Sequence, residues 1–354
     1  MSEVIDVVGI GNAIVDVLAH CDEAFIERIG VAKGSMTLID TARAEELYAA
    51  MGPAIEISGG CAANTSVGVA SLGGKAAFIG KVGNDQLGGI FRHDVRAAGV
   101  QYDIAPATSS TPTARSMILV TPDGERTMNT YLGACHELTP ADIDPHLIQR
   151  AKVTYMEGYL WDPPLAKEAF LKAARIAHDA GQEVALSLSD SFCVNRYLKE
   201  FQDLVRNHVD ILFANISEIT ALWETDDWNE AARITQQHCD LAALTRSEHG
   251  SVIVTPDEMI EIPAWPIDRI VDLTGAGDLY ASGFLYGYTH GRRSRTRGRE
   301  YTRTGSRKHK DRRRRSGRRC GRSAKPGSRS SRPGSRSPSH ARCGSAPRGR
   351  NAAG

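Results

Sequence analysis

Runs of strand-like apolar residues alternate with helical patterns from Val4 to Gly291, and this alternation limits the fold more than any other feature of the chain. The first run, Val4–Ile10, is interrupted only by Asp6 and ends at Gly11-Asn12, the pattern of a strand buried on both faces that stops at a turn. Ala76–Gly80, Val153–Met156, Val184–Leu188, Val209–Ala214, Leu241–Arg246 and Ser251–Thr255 read as further strands. Helical stretches lie between them at Thr41–Met51, after Gly59-Gly60, at Gln86–Ala98, Pro163–Ala180 and Val194–Arg206, with Gly73 and Gly181 as stops. Such an order predicts an α/β fold whose mostly parallel sheet is covered by helices on both faces.

Two stretches depart from the alternation. Ile14–Leu18 continues as strand where a dinucleotide motif needs a helix, and Ile14 stands where its third glycine belongs, so Gly9-x-Gly11 is no cofactor fingerprint. Asp16 within this run is either an edge residue facing water or a ligand for polyol hydroxyls. Ala114–Val120 and Arg126–Tyr131 are joined by Thr121-Pro122-Asp123-Gly124-Glu125, a hairpin signal that in an α/β chain reads as an edge decoration or a lid. Arg115 and Arg126 on it are solvated charges by default and phosphate ligands if the hairpin covers a site.

The stretch richest in chemistry is Asp272-Leu273-Thr274-Gly275-Ala276-Gly277-Asp278, followed by a helical apolar pattern. Small residues at a helix start leave N–H groups at the positive end of the dipole, which suits a phosphate. A carboxylate there competes with that phosphate, so Asp278 is either a capping residue or a base that takes a proton from an attacking hydroxyl. Gly59-Gly60 open a helix of small residues that carries Asn64 on its first turns. Asn215 and Glu218 stand at i, i+3 just beyond a strand, a spacing shared by a capping box and by a pair that holds hydrated Mg²⁺ and a phosphate oxygen. Asn64, Asn215, Thr245 and Gly275–Asp278 all follow expected strands, and ligands of open parallel sheets bind at those ends.

The charge is divided. Residues 1–291 hold 20 Lys and Arg against 40 Asp and Glu, whereas residues 292–354 hold 23 against 2 and contain no Val, Ile, Leu, Met, Phe or Trp. The second part has nothing with which to build a core and is expected to be disordered. Seven scattered cysteines without a CxxC pair suggest a reduced, cytoplasmic setting. Neither a signal peptide nor an apolar run near the ~18 residues of a membrane span is present.

Three motifs then carry a resemblance: Gly59-Gly60 through Asn64 with Gly80-x-Val82-Gly83-x-Asp85, Asn215-x-x-Glu218, and Asp272-x-x-Gly275-Ala276-Gly277-Asp278. In order and spacing they resemble the PfkB, or ribokinase-like, carbohydrate and nucleoside kinases across residues 4–291, and the pattern is most similar to the adenosine kinases. The resemblance implies a ribokinase-like three-layer α/β sandwich with a small β-sheet lid built from strands within about residues 12–40 and 113–131. It implies ATP and Mg²⁺, with a monovalent cation in many members, and phosphorylation of the CH₂OH of adenosine or, alternatively, of a free sugar such as ribose or fructose. By the same resemblance Asp278 is the base, and the amides of Gly275, Ala276 and Gly277 hold the transferring phosphoryl group. Asn12, Asp16, Gly59, Gly60 and Asn64 bind the acceptor, and Tyr159 or Leu160 lies against its nucleobase. Asn215, Thr245, Arg246, Gly250 and Thr274 belong to the ATP site, and Glu218 reaches Mg²⁺ indirectly. Leu273 departs mildly from the family, and the match stops after Gly291, where Ala-rich helices are expected. The basic tail at 292–354 is then either a nucleic-acid-binding segment on an impaired enzyme or the product of a reading-frame shift that turns alanine codons into arginine codons.

Overall fold

The chain is seen in a computed structural model that describes residues 3–268 and 274–291. Asp272, Leu273 and the whole tail from residue 292, with the expectations attached to them, lie outside the described residues. In chain order the strands are β1 (Ile5–Ile10), β2 (Ile14–His20), β3 (Met36–Leu38), β4 (Ile55–Gly59), β5 (Ala76–Ile79), β6 (Val100–Gln101), β7 (Ala114–Val120), β8 (Arg126–Tyr131), β9 (Ala151–Glu157), β10 (Glu183–Ser187), β11 (Ile211–Asn215), β12 (Leu241–Thr245), β13 (Ser251–Val254) and β14 (Met259–Ile262).

A central sheet runs β14-β13-β12-β11-β10-β9-β1-β5-β6, parallel from β6 to β12 and antiparallel beyond. Its strands alternate sides as the pleat requires. Val153 and Tyr155 of β9 join Phe78, Phe91 and Phe284 on one face, and Met156 joins Phe170 and Phe201 on the other. Helices Cys61–Ser71, Gln86–Ala97 and Ala276–Thr289 supply the first layer, and Pro164–Asp179 and Leu198–Asn207 contribute to the second. The three-layer ribokinase-like architecture follows from these two apolar faces. β1 lies between β9 and β5, so the strand order reverses there and leaves a crevice at the carboxyl ends of β1 and β9.

β2, β4, β7, β8 and β3 form the second, smaller sheet, in the order β3-β8-β7-β2-β4. The expected lid ranges therefore omit one strand, β4, whose five residues hold only two large apolar side chains and whose edge position needs no more. Opposed residues share a face, which puts Asp16, Ser116, Thr130, Leu38 and Ile57 on one side together with Leu18, Ile118, Met128, Met36 and Ile55. The opposite side packs Met117 and Tyr131 on the helix Thr41–Ala50. Arg115 points to that packed side. It is buried rather than solvated, with its guanidinium over the rings of Tyr48 and Tyr131. Asp85 fastens the hairpin to the main layer: its carboxylate caps the helix Gln86–Ala97 and accepts from the N–H and hydroxyl of Thr113.

The stretch Val194–Arg206 also differs from expectation. It belongs to two helices, Ser191–Arg196 and Leu198–Asn207, that meet at Tyr197. The Tyr197 ring is held by Lys167 and Arg196, a tertiary contact that periodicity alone does not report. Among the described residues no helix is long and apolar enough to cross a membrane.

Helices Cys61–Ser71 and Ala276–Thr289 cross with almost no space between them. A Cβ at Gly68 would stand 2.0 Å from Ser282 Oγ and 2.5 Å from Ser282 Cβ. The Ser282 hydroxyl is itself bound between the carbonyls of Asp278 and Thr65. Gly68→Ala is therefore expected to lower stability by about 1–3 kcal/mol, with part of the loss restored by adding Ser282→Gly; urea midpoints of the single and double variants measure both effects.

Candidate active site

The loop before the helix Ala276–Thr289 ends at Gly275, whose φ of 71° is left-handed backbone open to glycine at little cost. No side chain caps this helix start, and Asp278 occupies its first turn. Helix Cys61–Ser71 begins beside it, so the side-chain amide of Asn64 donates to Asp278 Oδ2 at 3.0 Å. The Thr65 hydroxyl donates to the Asp278 carbonyl at 3.3 Å. Burial pushes the Asp278 carboxyl up to about 6, and the bonds from Asn64 and the Cys61 thiol oppose that rise. Two helix N-termini and one carboxylate of raised pKa thus converge on one spot.

Gly59-Gly60 lead from β4 into the helix Cys61–Ser71. Gly60 has φ 93°, and a Cβ there would sit 2.1 Å from the Asn12 carbonyl oxygen. A Cβ at Gly59 would sit 2.6 Å from Asp16 Oδ2. Bare backbone at this turn is what lets Asn12, Asp16 and Asn64 gather around it. Asn12 is buried at the end of β1, and its Nδ2 donates to Glu157 Oε1 at 2.9 Å. Glu157 closes β9, and its Oε2 accepts from the Ala62 N–H at 2.8 Å. Burial pushes its carboxyl up to about 7 against the pull of both bonds. Tyr159 follows in a tight turn, Gly158–Trp161, with its N–H donating to Ser189 Oγ at 3.3 Å.

On the far side of the crevice Asn215 and Glu218 form a capping box. The Asn215 side chain accepts from the Glu218 N–H at 2.9 Å, and the Glu218 carboxylate accepts from the Asn215 N–H at 3.0 Å and from its Nδ2 at 2.6 Å. The spacing is thus realised as a capping box. Burial pushes Glu218 up to about 7, and Asp190 adds to the rise. Thr245 lies directly across from Asn215 on β12. Arg246 does not join them: its guanidinium turns over Trp228 and toward Glu261. Gly250 serves packing, since a Cβ there would meet the Ile262 carbonyl oxygen at 2.0 Å. Thr274 accepts at its hydroxyl from Arg126 Nη1 at 3.4 Å, so β8 of the small sheet reaches the loop at Gly275.

Among the described residues no three His, Cys, Asp or Glu side chains gather as a metal cage. Glu218 and Asn215, hard oxygen donors side by side, are the residues that would suit a hydrated Mg²⁺.

Two residues of the crevice were not among the expected ones, Cys61 beside Asp278 and Glu157, whereas Arg126, weighed as a phosphate ligand if the hairpin covered a site, lies against Thr274. The one signal Glu157 carried was its place, a carboxylate at the ligand-binding end of a parallel strand, and with Lys152 and Thr154 also polar on that strand it formed no motif.

Comparison with known proteins agrees with this geometry. Residues 34–299 match the family described as pfkB family carbohydrate kinase. An adenosine kinase from Sinorhizobium meliloti is 57% identical, covers 83% of this chain and 90% of its own, and superposes with a TM-score of 0.77. A probable sugar kinase from Rhizobium etli CFN 42 is 54% identical, with 86% and 93% covered and a TM-score of 0.80. The aminoimidazole riboside kinase of Salmonella typhimurium is 29% identical over 240 residues, 66% of this chain and 74% of that protein. With its motifs on one crevice and three quarters of its length matched, the chain belongs to the pfkB family of carbohydrate kinases.

Proposed function

We propose that the chain phosphorylates the primary hydroxyl of a nucleoside, adenosine first among them, from ATP. Asp278 takes the proton of the CH₂OH as its oxygen bonds to the γ-phosphorus; the bond from that phosphorus to the β-bridging oxygen breaks, and ADP leaves with the electron pair. The amides at Gly275, Ala276 and Gly277 face the charge gathered on the phosphoryl oxygens, with the helix dipole behind them. Asn64 keeps Asp278 turned toward the acceptor. Asp16 and Asn12, with the Gly59-Gly60 turn, take the sugar hydroxyls, and Tyr159 borders the base. Asn215, Thr245 and Thr274 take the nucleotide side, with Arg246 and Gly250 shaping the turn behind it. Bound Mg²⁺ neutralises the phosphates, reached by Glu218 and Asn215 through water.

One observation favours a nucleoside over a free sugar. The face of the small sheet that carries Asp16 is otherwise largely apolar, and its flanking side chains are open: Met36 is 48% exposed, Leu38 52%, Ile55 66% and Ile57 37%. A sugar is ringed by hydroxyls and gains nothing from such a face, whereas a flat base covers it. The 57% identical adenosine kinase supports adenosine among the bases.

ADP release by the full chain with adenosine, guanosine, ribose and fructose tests the reading; adenosine is expected to give the highest kcat/KM, and a preference for either free sugar overturns it. Asp278→Asn is expected to lower kcat by about 10²–10⁴-fold. The same change removes a buried carboxylate whose charge folding disfavours, so it should also raise the melting temperature by a few degrees, on the order expected for relief of strain at an active site. With the carboxyl near 6, only the ionised form accepts a proton; kcat/KM should fall tenfold per pH unit below about 6 and level off above it. A profile flat to pH 4 would remove Asp278 from the role of base.

A further inference from the structure

Glu157 takes no part in the transfer itself, yet it is 1% exposed at the centre of the acceptor side. Its surroundings leave it no freedom. Oε1 accepts from Asn12 Nδ2, Oε2 accepts from the Ala62 N–H, and a Cβ at Gly11 would lie 2.4 Å from Oε2. An ionised carboxylate only accepts, whereas a carboxamide offers a donor at one end and an acceptor at the other. By taking the Nδ2 end of Asn12, Glu157 leaves the Oδ1 end to face elsewhere. Asn12 is also 1% exposed, and its Oδ1 has no hydrogen-bond partner among the described residues. A buried carbonyl oxygen without a donor costs stability, and one retained on a residue whose backbone abuts the Gly59-Gly60 turn points to a ligand that supplies the donor.

We propose that Glu157 is a positioning residue that fixes the polarity of Asn12, making Oδ1 a dedicated acceptor for one sugar hydroxyl of the substrate. The inference rests on the reading of Asn12 as part of the acceptor site. It makes the site selective for a hydroxyl that donates, over a group of the same size that only accepts. Glutamine at 157 reverses this. Its carbonyl oxygen is claimed by the fixed Ala62 N–H, its NH₂ then faces Asn12, and the Asn12 carboxamide turns over to present Nδ2 to the substrate.

The test uses the full chain at pH 8, above the value of about 7 to which burial raises the Glu157 carboxyl. Wild type, Glu157→Gln, Asn12→Ala and the double variant are compared with adenosine and its 2′- and 3′-deoxyfluoro analogues. Glu157→Gln should raise KM for adenosine about tenfold, the effect of one misdirected hydrogen bond, with kcat within about threefold. The double variant should be no worse than Asn12→Ala, and the wild type's discrimination against one fluoro analogue should shrink in Glu157→Gln. Additive effects in the double variant, or a loss in kcat at constant KM, overturn the proposal. A second readout needs no turnover: the side-chain NH₂ of Asn12, assigned by its absence in Asn12→Ala, should exchange with solvent at least about tenfold faster in Glu157→Gln. An inactive wild type would sink the functional reading while this exchange measurement still decides the role of Glu157; unchanged exchange overturns it.

Discussion

The contact between Asn64 and Asp278 depends on two helices starting side by side. Each enters at the carboxyl edge of the sheet and each begins with glycine, Gly60 because a Cβ would strike the Asn12 carbonyl and Gly275 because its backbone is left-handed. Their dipoles point the same way, toward a space between them that repels cations and attracts phosphate. Asp278 is the exception tolerated in that field. Its carboxyl is raised to about 6, which suits the proposed base: high enough to take up a proton, yet low enough to be mostly ionised at neutral pH. A closer, drier site would hold the proton too tightly, and an open one would leave the group too weak a base.

The other residues are arranged by the reversal of strand order at β1. The chain leaves β1 at Asn12, passes through the small sheet, and returns along the helix that carries Asn64. The two ends of that excursion meet at the Gly59-Gly60 turn, which brings Asp16 and Asn12 to the same point. β9 lies on the other side of β1 and contributes Glu157, which ties the two paths together through Asn12 and Ala62. The small sheet reaches the phosphate end as well, through Arg126 and Thr274.

Much of this was legible in the residues. Near-continuous apolar runs located the central strands, and Gly59, Gly60 and Gly275 marked turns that do need glycine, the first two for lack of space and Gly275 for its left-handed backbone. What escaped was tertiary. The helix breaks at Tyr197, whose ring packs under Lys167 from a distant helix, Arg115 is buried because its strand is interior to the small sheet, and β4 is an edge strand with too few apolar residues to announce itself. Arg246, which the resemblance placed on the turn toward ATP, has its guanidinium over Trp228 and near Glu261, contacts that its place in the chain does not report. Glu157 was passed over because a single carboxylate has no motif, and its meaning lies in two partners distant in sequence.

Because no Cβ fits between Gly68 and Ser282, the spacing of the two catalytic helices is locked by backbone and leaves little room for variation. The small sheet carries no such lock on its open face, where Met36, Leu38, Ile55 and Ile57 touch little of the protein itself. If the exposed face meets the acceptor, as proposed, inheritance can act on the two layers separately: mutations there would redirect the enzyme to a new acceptor without disturbing the paired helices. A scaffold divided in this way can diversify by exchanging a few side chains at its rim while its engine stays the same.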